Sequence, residues 1–305
     1  MLAIIFWHRL TPEIHIQRHQ FEWAKFKSMF SMSSWLIINQ IGSLLFLNID
    51  LIIINRYLGA EAQGRYASAL QWAVLLRTFS IAVAAAITPI ALDRHVRQDQ
   101  RQLAKMAHST VKWLGLALAL PVGLLIGFAV PLLHIWLGSE FEDIALLMIV
   151  LVGHLSFNLA VRPLFSIQVA LNKVRWPAIV SIILGVFNLF LALWWVHWGK
   201  YGLGVAVASG IVLTLRNAVF VPIYGARIQN LPWYTFYKSV VPGMLGLLLA
   251  VLISFVVANR FNVESWVQLV VAGICVAFPY IAILFFFLTK EEKQIMQRYL
   301  RKRRF

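Results

Sequence analysis

The 305 residues are 61% hydrophobic and only 13% charged, with a mean hydropathy of +0.78. A soluble domain carries about 25% charged residues, so the composition excludes a water-soluble globule and points to an all-α polytopic membrane protein. The formal charge of +15 would suit nucleic acid, but its distribution along the chain assigns it to membrane topology instead.

In chain order, MLAIIFW is too short to span a bilayer and has no small-residue cleavage site after it. Residues 8–30 mix His8, Arg9, His15, Arg18 and His19 with Phe21, Trp23, Phe26 and Phe30, the pattern of a segment lying on the membrane surface. Eight stretches long enough for about 20 apolar residues follow: 32–55, 66–91, 112–137, 143–171, 177–197, 203–224, 239–258 and 265–289. In the first, Asn39, Gln40, Ser43, Leu47 and Asp50 share one helical face, expected to point into the bundle. Asp50 lies roughly 8 Å deep, and Arg77 in the second stretch roughly 16 Å deep, at ~1.5 Å per residue.

A charge at that depth costs about 2.5–3.5 kcal/mol even on the lenient insertion scale, and such groups face a wet cavity or a partner. Arg77 is therefore expected to line a cavity. Asp50 has three readings: ion ligand, proton carrier, or counter-charge of Arg77. The fourth stretch spaces His154, Asn158 and Arg162 by four, and Pro163 and Pro177 allow a bend there. Asn188 sits mid-helix in the fifth and reads first as interhelical glue, while Trp194, Trp195 and Trp198 fit an interfacial belt. The sixth holds Ser209, Thr214, Arg216 and Asn217. Arg162 and Arg216 either line the cavity or snorkel to the nearer interface. His154 is expected to pack through a hydrogen bond, and Cys275, the single cysteine, to pack in an apolar run. Three cations against one anion suit a negatively charged cargo.

Of the 27 Lys and Arg, only Arg56, Arg65, Lys200 and Arg260 fall in the connections on one side, called side two. Apart from the three intramembrane arginines, the rest flank the spans on side one. Side one is expected to be cytoplasmic, with both chain ends there. The tail 290–305 sets Ile295, Met296, Tyr299 and Leu300 on one face among bases. It reads as a lipid-contacting helix or as a solvated topogenic tail. No phosphate loop, HExxH or Cys/His cluster is present, and the short connections leave no room for a catalytic domain.

Residues 47–69, LNIDLIIINRYLGAEAQGRYASA, resemble the segment that opens the second half of Wzx-type polysaccharide flippases. The order of TPIALDRH, HIWLGSEF, PLFSIQVALNKVRWP and HWGKYGLGVAVA resembles the same family across nearly the whole chain. The family belongs to the multidrug/oligosaccharidyl-lipid/polysaccharide exporter superfamily, with the lipid II flippase MurJ. The resemblance implies two six-helix bundles facing a cationic cavity, two further helices, and alternating-access movement of undecaprenyl-diphosphate-linked oligosaccharide, as in O-antigen synthesis, across the bacterial inner membrane.

On that resemblance, Arg77, Arg162, Arg216 and Asn158 are expected to bind substrate. Asp50, Asn188 and Thr214 are expected to serve Na+ or H+ coupling, with no other cofactor. The chain divides into 1–30 (end of a preceding helix and linker), 31–224 (second bundle), 225–289 (two extra helices) and 290–305 (tail). This predicts a half-transporter whose partner is a missing N-terminal half or a second subunit, with membrane lipids around it and no nucleic acid. Alternatives are a cation-coupled small-molecule exporter, which would favour acidic cavity residues, a membrane enzyme, which needs a large periplasmic loop, and a non-transporting remnant.

Overall fold

The computed structural model describes residues 21–97 and 99–284; MLAIIFW, the basic start of the amphipathic segment and the 290–305 tail lie outside the described residues. Among those described there is no strand. Seven helical stretches are long and apolar enough to cross a bilayer, and the first, Trp23–Val96, has 74 residues. At ~1.5 Å per residue this exceeds a ~30 Å hydrocarbon core several-fold. It folds back at Gly59, which returns Tyr66 to Asp50. The chain is thus an all-α multi-pass membrane protein, with eight spans among the described residues once the first stretch is divided at Gly59.

Helix α1 (Trp23–Leu47) ends at Asn48, whose φ −120° and ψ −20° break the run before α2 (Ile49–Val96). Residues 23–30, expected in a surface segment, instead continue directly into the first span. Phe21, Trp23, Phe26 and Phe30 are exposed there, with successive ring centroids 6.1, 5.3 and 6.1 Å apart. The third span is α3 (Gln100–Gly127) followed by α4 (Ala129–Leu137). It starts earlier than its apolar run because Asp99 caps it, accepting from the Gln102 N–H at 3.0 Å. Lys112, assigned from sequence to a side-one connection, is only 5% exposed, its ammonium 5.0 Å above the Trp113 ring.

The fourth span is broken. A 3-10 turn (Ser139–Ile144) leads into α5 (Ala145–Gly153), α6 (Leu155–Ala160) and α7 (Pro163–Ala170). The fifth is α8 (Arg175–Trp195). The sixth is α9 (Leu203–Leu215), a π turn (Arg216–Phe220) and α10 (Val221–Arg227). Two further helices follow, α11 (Thr235–Arg260) and α12 (Trp266–Leu284).

Within a bilayer every freed backbone carbonyl needs a donor, and hydroxyls of neighbouring helices supply them. Pro163 cannot donate to Leu159, whose carbonyl accepts from Ser80 Oγ at 3.2 Å and the Arg162 N–H at 3.1 Å. Pro222 frees the Ala218 carbonyl, taken by the Tyr237 hydroxyl at 2.6 Å. One turn before Pro89, the Ala84 carbonyl accepts from Ser166 Oγ at 2.8 Å.

The side-two reversals share one device. Gly59, Gly138 and Gly199 have φ of 88°, 98° and 76° with extended ψ, a region essentially restricted to glycine. Arg65 then ties the three turns together. It donates to the Glu140 carbonyl at 2.8 Å, pairs with Asp143 at 3.0 Å and Glu61 at 3.3 Å, and lies over the Phe141 and Tyr201 rings.

Among the described residues, helices α3 and α11 pack together most extensively, through small residues that let backbones approach. A Cβ added at Gly123 would lie 2.5 Å from Ala250 Cβ and 3.0 Å from its carbonyl carbon, whereas one at Gly64 meets nothing within 4 Å. Gly123→Val is therefore expected to destabilise by about 1–3 kcal/mol, or more if α11 is displaced. Gly64→Ala, within a helix, should be neutral to ~1 kcal/mol stabilising. Unfolding midpoints in detergent check both.

Two large apolar clusters dominate the core, with two smaller ones around Tyr280 and Phe128. One of the large pair, around Tyr66, Met148, Leu155 and Ala208, fills the side-two half, and the other, around Val161, Leu164, Val221 and Phe236, the side-one half.

Candidate functional site: an arginine cavity and a buried carboxylate

A cavity of about 160 Å³ opens between these clusters. The first span gives it Asn39, Gln40, Ser43 and Phe46, the second Arg77 and Ile81. The broken fourth span gives Asn158, Leu159, Arg162 and Phe165, and the sixth Leu213, Arg216, Asn217 and Val221. The expected polar face of the first helix is the reason Asn39, Gln40 and Ser43 meet here. Arg162 sits at the junction that Pro163 forces. Arg216 and Asn217 sit in the π turn, where one extra residue per turn re-aims side chains, as such bulges do at functional sites.

All three intramembrane arginines thus line one cavity. None forms an ion pair with a described residue, and no carboxylate lines the wall. Arg216 Nη2 donates to Asn39 Oδ1 at 3.3 Å, and Ser181 Oγ donates to the same oxygen at 2.8 Å. Arg216 is therefore held at the wall and does not snorkel freely. The Nε atoms of Arg77 and Arg216 are enclosed and without a hydrogen-bond partner. Arg162 is exposed at the rim. The arrangement offers fixed donors to an anion in a low-dielectric setting.

A separate groove of about 340 Å³, lined by Phe79, Val83, Thr110 and Trp113 among others, carries no charged residue. On α2, Phe79 and Val83 face away from Arg77, so this groove belongs to the apolar surface.

Asp50 is 4% exposed and lies apart from the cavity wall. It accepts from the Tyr66 hydroxyl at 3.0 Å and makes no direct ion pair with Arg77. Ser209 Oγ lies 2.9 and 2.8 Å from its two oxygens and 3.2 Å from Asn188 Oδ1; having one proton, it donates to one of them at a time. Asn188 Nδ2 reaches the Leu45 carbonyl at 3.5 Å, so this residue does bridge helices. The structure therefore brings Asp50 and Asn188 together through Ser209, with Tyr66 on the other side of the carboxylate; the sequence alone assigns neither Ser209 nor Tyr66 a site role. Five side-chain oxygens converge, a donor set suited to a small hard cation or a proton. Among the described residues there is no cluster of three His, Cys, Asp or Glu.

Thr214, expected with Asp50 and Asn188, is placed elsewhere. It lies five residues beyond Ser209, about 140° around the helix, and its hydroxyl accepts from Asn158 Nδ2 at 3.0 Å. The same Nδ2 is 2.8 Å from His154 Nδ1. His154 is thus hydrogen-bonded inside the bundle, against Gly210, where a Cβ would lie 3.1 Å from its ring. Cys275 is exposed on the apolar surface and not packed inside.

Comparison with known proteins agrees with the motifs. Residues 1–146 match the model of the family described as polysaccharide biosynthesis protein. The chain is 36% identical to the uncharacterized membrane protein EpsK of Bacillus subtilis, over 99% of this chain and 60% of that protein. It is 25% identical to the probable low-salt glycan biosynthesis flippase Agl15 of Haloferax volcanii, over 80% of this chain and 52% of that protein. The chain therefore spans somewhat over half the length of these relatives. No solved structure matches it. The motifs, the helical membrane fold and these relatives agree in making the chain similar to the polysaccharide biosynthesis protein family.

Proposed function

We propose that this protein moves undecaprenyl-diphosphate-linked oligosaccharide, for polysaccharide or O-antigen synthesis, from the cytoplasmic to the outer leaflet of the inner membrane. The observation that carries the reading is the convergence of Arg77, Arg162 and Arg216 on one cavity without a carboxylate in its wall. The name of the Haloferax relative supports it. The cavity is smaller than the ~300–1,000 Å³ of sites that enclose drug-sized ligands. It suits a diphosphate and its immediate neighbours, while the glycan extends past the rim and the lipid stays in the bilayer. Translocation breaks no bond, so the chain acts as a transporter and not as an enzyme.

Orientation follows the basic residues, with side one and both chain ends cytoplasmic. Asp50, Asn188 and Ser209 supply the coupling ion or proton site. A second bundle, from a separate segment or a second copy, closes the cavity during the cycle. A cation-coupled exporter of organic molecules would need acids in the cavity, where the lining offers arginines.

The test is ligand charge. In lipid nanodiscs the full chain should bind a short-chain polyprenyl diphosphate about tenfold or more tightly than the matching monophosphate, the gain of roughly one charge-assisted hydrogen bond. Equal binding of the two would overturn the reading.

A further inference from the structure

Asn158 is 2% exposed yet lines the arginine cavity. Its Nδ2 is engaged from two directions, by His154 Nδ1 at 2.8 Å and Thr214 Oγ1 at 3.0 Å. Its Oδ1 is enclosed and has no hydrogen-bond partner. Buried amide oxygens are nearly always satisfied, and an unsatisfied one asks for a donor. Beside it, Arg77 and Arg216 keep unpartnered Nε donors. The wall therefore presents spare donors, which an anion satisfies, and one spare acceptor, which a phosphodiester oxygen does not. The complementary ligand is an anion with an O–H or N–H group next to the charge.

We infer that Asn158 is a specificity residue, held by His154 and Thr214 so that its Oδ1 accepts a hydrogen bond from the first sugar attached to the diphosphate. The site thereby distinguishes a glycan-loaded lipid diphosphate from the bare one. This rests on the flippase reading above, and it goes further by assigning glycan recognition to a residue inside the anion cavity. Polar groups that lose their partner reject the analogue lacking it, so discrimination acts against the unloaded lipid. Asn39, by contrast, already spends its Oδ1 on Arg216 and Ser181, and serves to position the arginine.

The experiment uses the full chain in nanodiscs and two probes, a short-chain polyprenyl diphosphate and the same lipid carrying one N-acetylhexosamine. Wild type should prefer the glycosylated probe by roughly fivefold to tenfold, the effect of one hydrogen bond. Asn158→Leu should abolish that preference, weakening the glycosylated probe about fivefold to tenfold more than the bare diphosphate. Thr214→Val, which frees one side of the amide and changes little volume, should lose part of the preference with only a modest fall in the unfolding midpoint, so the test survives a misfolded Asn158→Leu. No preference in wild type, or an equal loss for both probes in Asn158→Leu, overturns the inference. Arg77→Ala separates the two readings: if it weakens neither probe the flippase reading fails, whereas weakening both alike leaves only Asn158 at issue.

Discussion

Arg77→Ala is expected to weaken binding of a polyprenyl diphosphate by about 10- to 100-fold and to leave the fold intact. Among the described residues Arg77 forms no ion pair, and its Nε has no hydrogen-bond partner. Truncation therefore strands no internal group, and stability should hold or rise slightly because an unpaired intramembrane cation is costly. The ligand loses a charge-assisted hydrogen bond, worth about 1.5–3 kcal/mol, and 1.4 kcal/mol is about tenfold in affinity. Arg77→Lys should recover part of the loss, since a point charge replaces a planar fork. Titration calorimetry on nanodisc-embedded protein, beside a thermal unfolding scan, separates affinity from stability. Unchanged affinity in Arg77→Ala would mean that the cavity does not hold the diphosphate through this residue.

The second large effect is expected at Asp50, where two substitutions should part company. Asp50→Ala leaves the Tyr66 and Ser209 hydroxyls without their acceptor in a buried site. Each stranded donor costs about 1–3 kcal/mol, though partners found in the membrane-unfolded state reduce this. A net loss of about 2–4 kcal/mol should appear as a lowered unfolding midpoint. Asp50→Asn keeps an acceptor of the same size and should stay within ~1 kcal/mol of wild type, while removing the ionisable group. If Asp50 holds the coupling ion or proton, Asp50→Asn should be folded, should bind the diphosphate normally and should lose any sodium or pH dependence of transport. Retained dependence would assign coupling elsewhere.

Much of the site was legible because a charge in an apolar run is conspicuous. Arg77, Arg162 and Arg216 stand out against spans that are otherwise apolar, and the steps of four and three residues from Asn39 and Gln40 to Ser43 fix a face. The parts that escaped depend on backbone breaks or on single hydroxyls. Asn48 and His154 interrupt helices without a proline to announce it, and the π turn at Arg216 has no sequence signature at all. Five residues of regular helix set Thr214 about 140° around from Ser209, so that Ser209 and not Thr214 reaches Asp50. Ser209 and Tyr66 look ordinary because lone hydroxyls are common in membrane helices. Lys112 was read as flanking a span because Asp99, twelve residues of polar helix away, starts α3 well before its apolar run.

The most direct measurement uses the cells that make this protein, where every partner of the cycle is present. Lipid-linked saccharide would be labelled from outside with a membrane-impermeant reagent, with the native chain, with the chain deleted and with Arg77→Ala. The account predicts outer-leaflet labelling with the native chain, and loss of that labelling with a rising internal pool in the other two. Equal labelling in all three would contradict it.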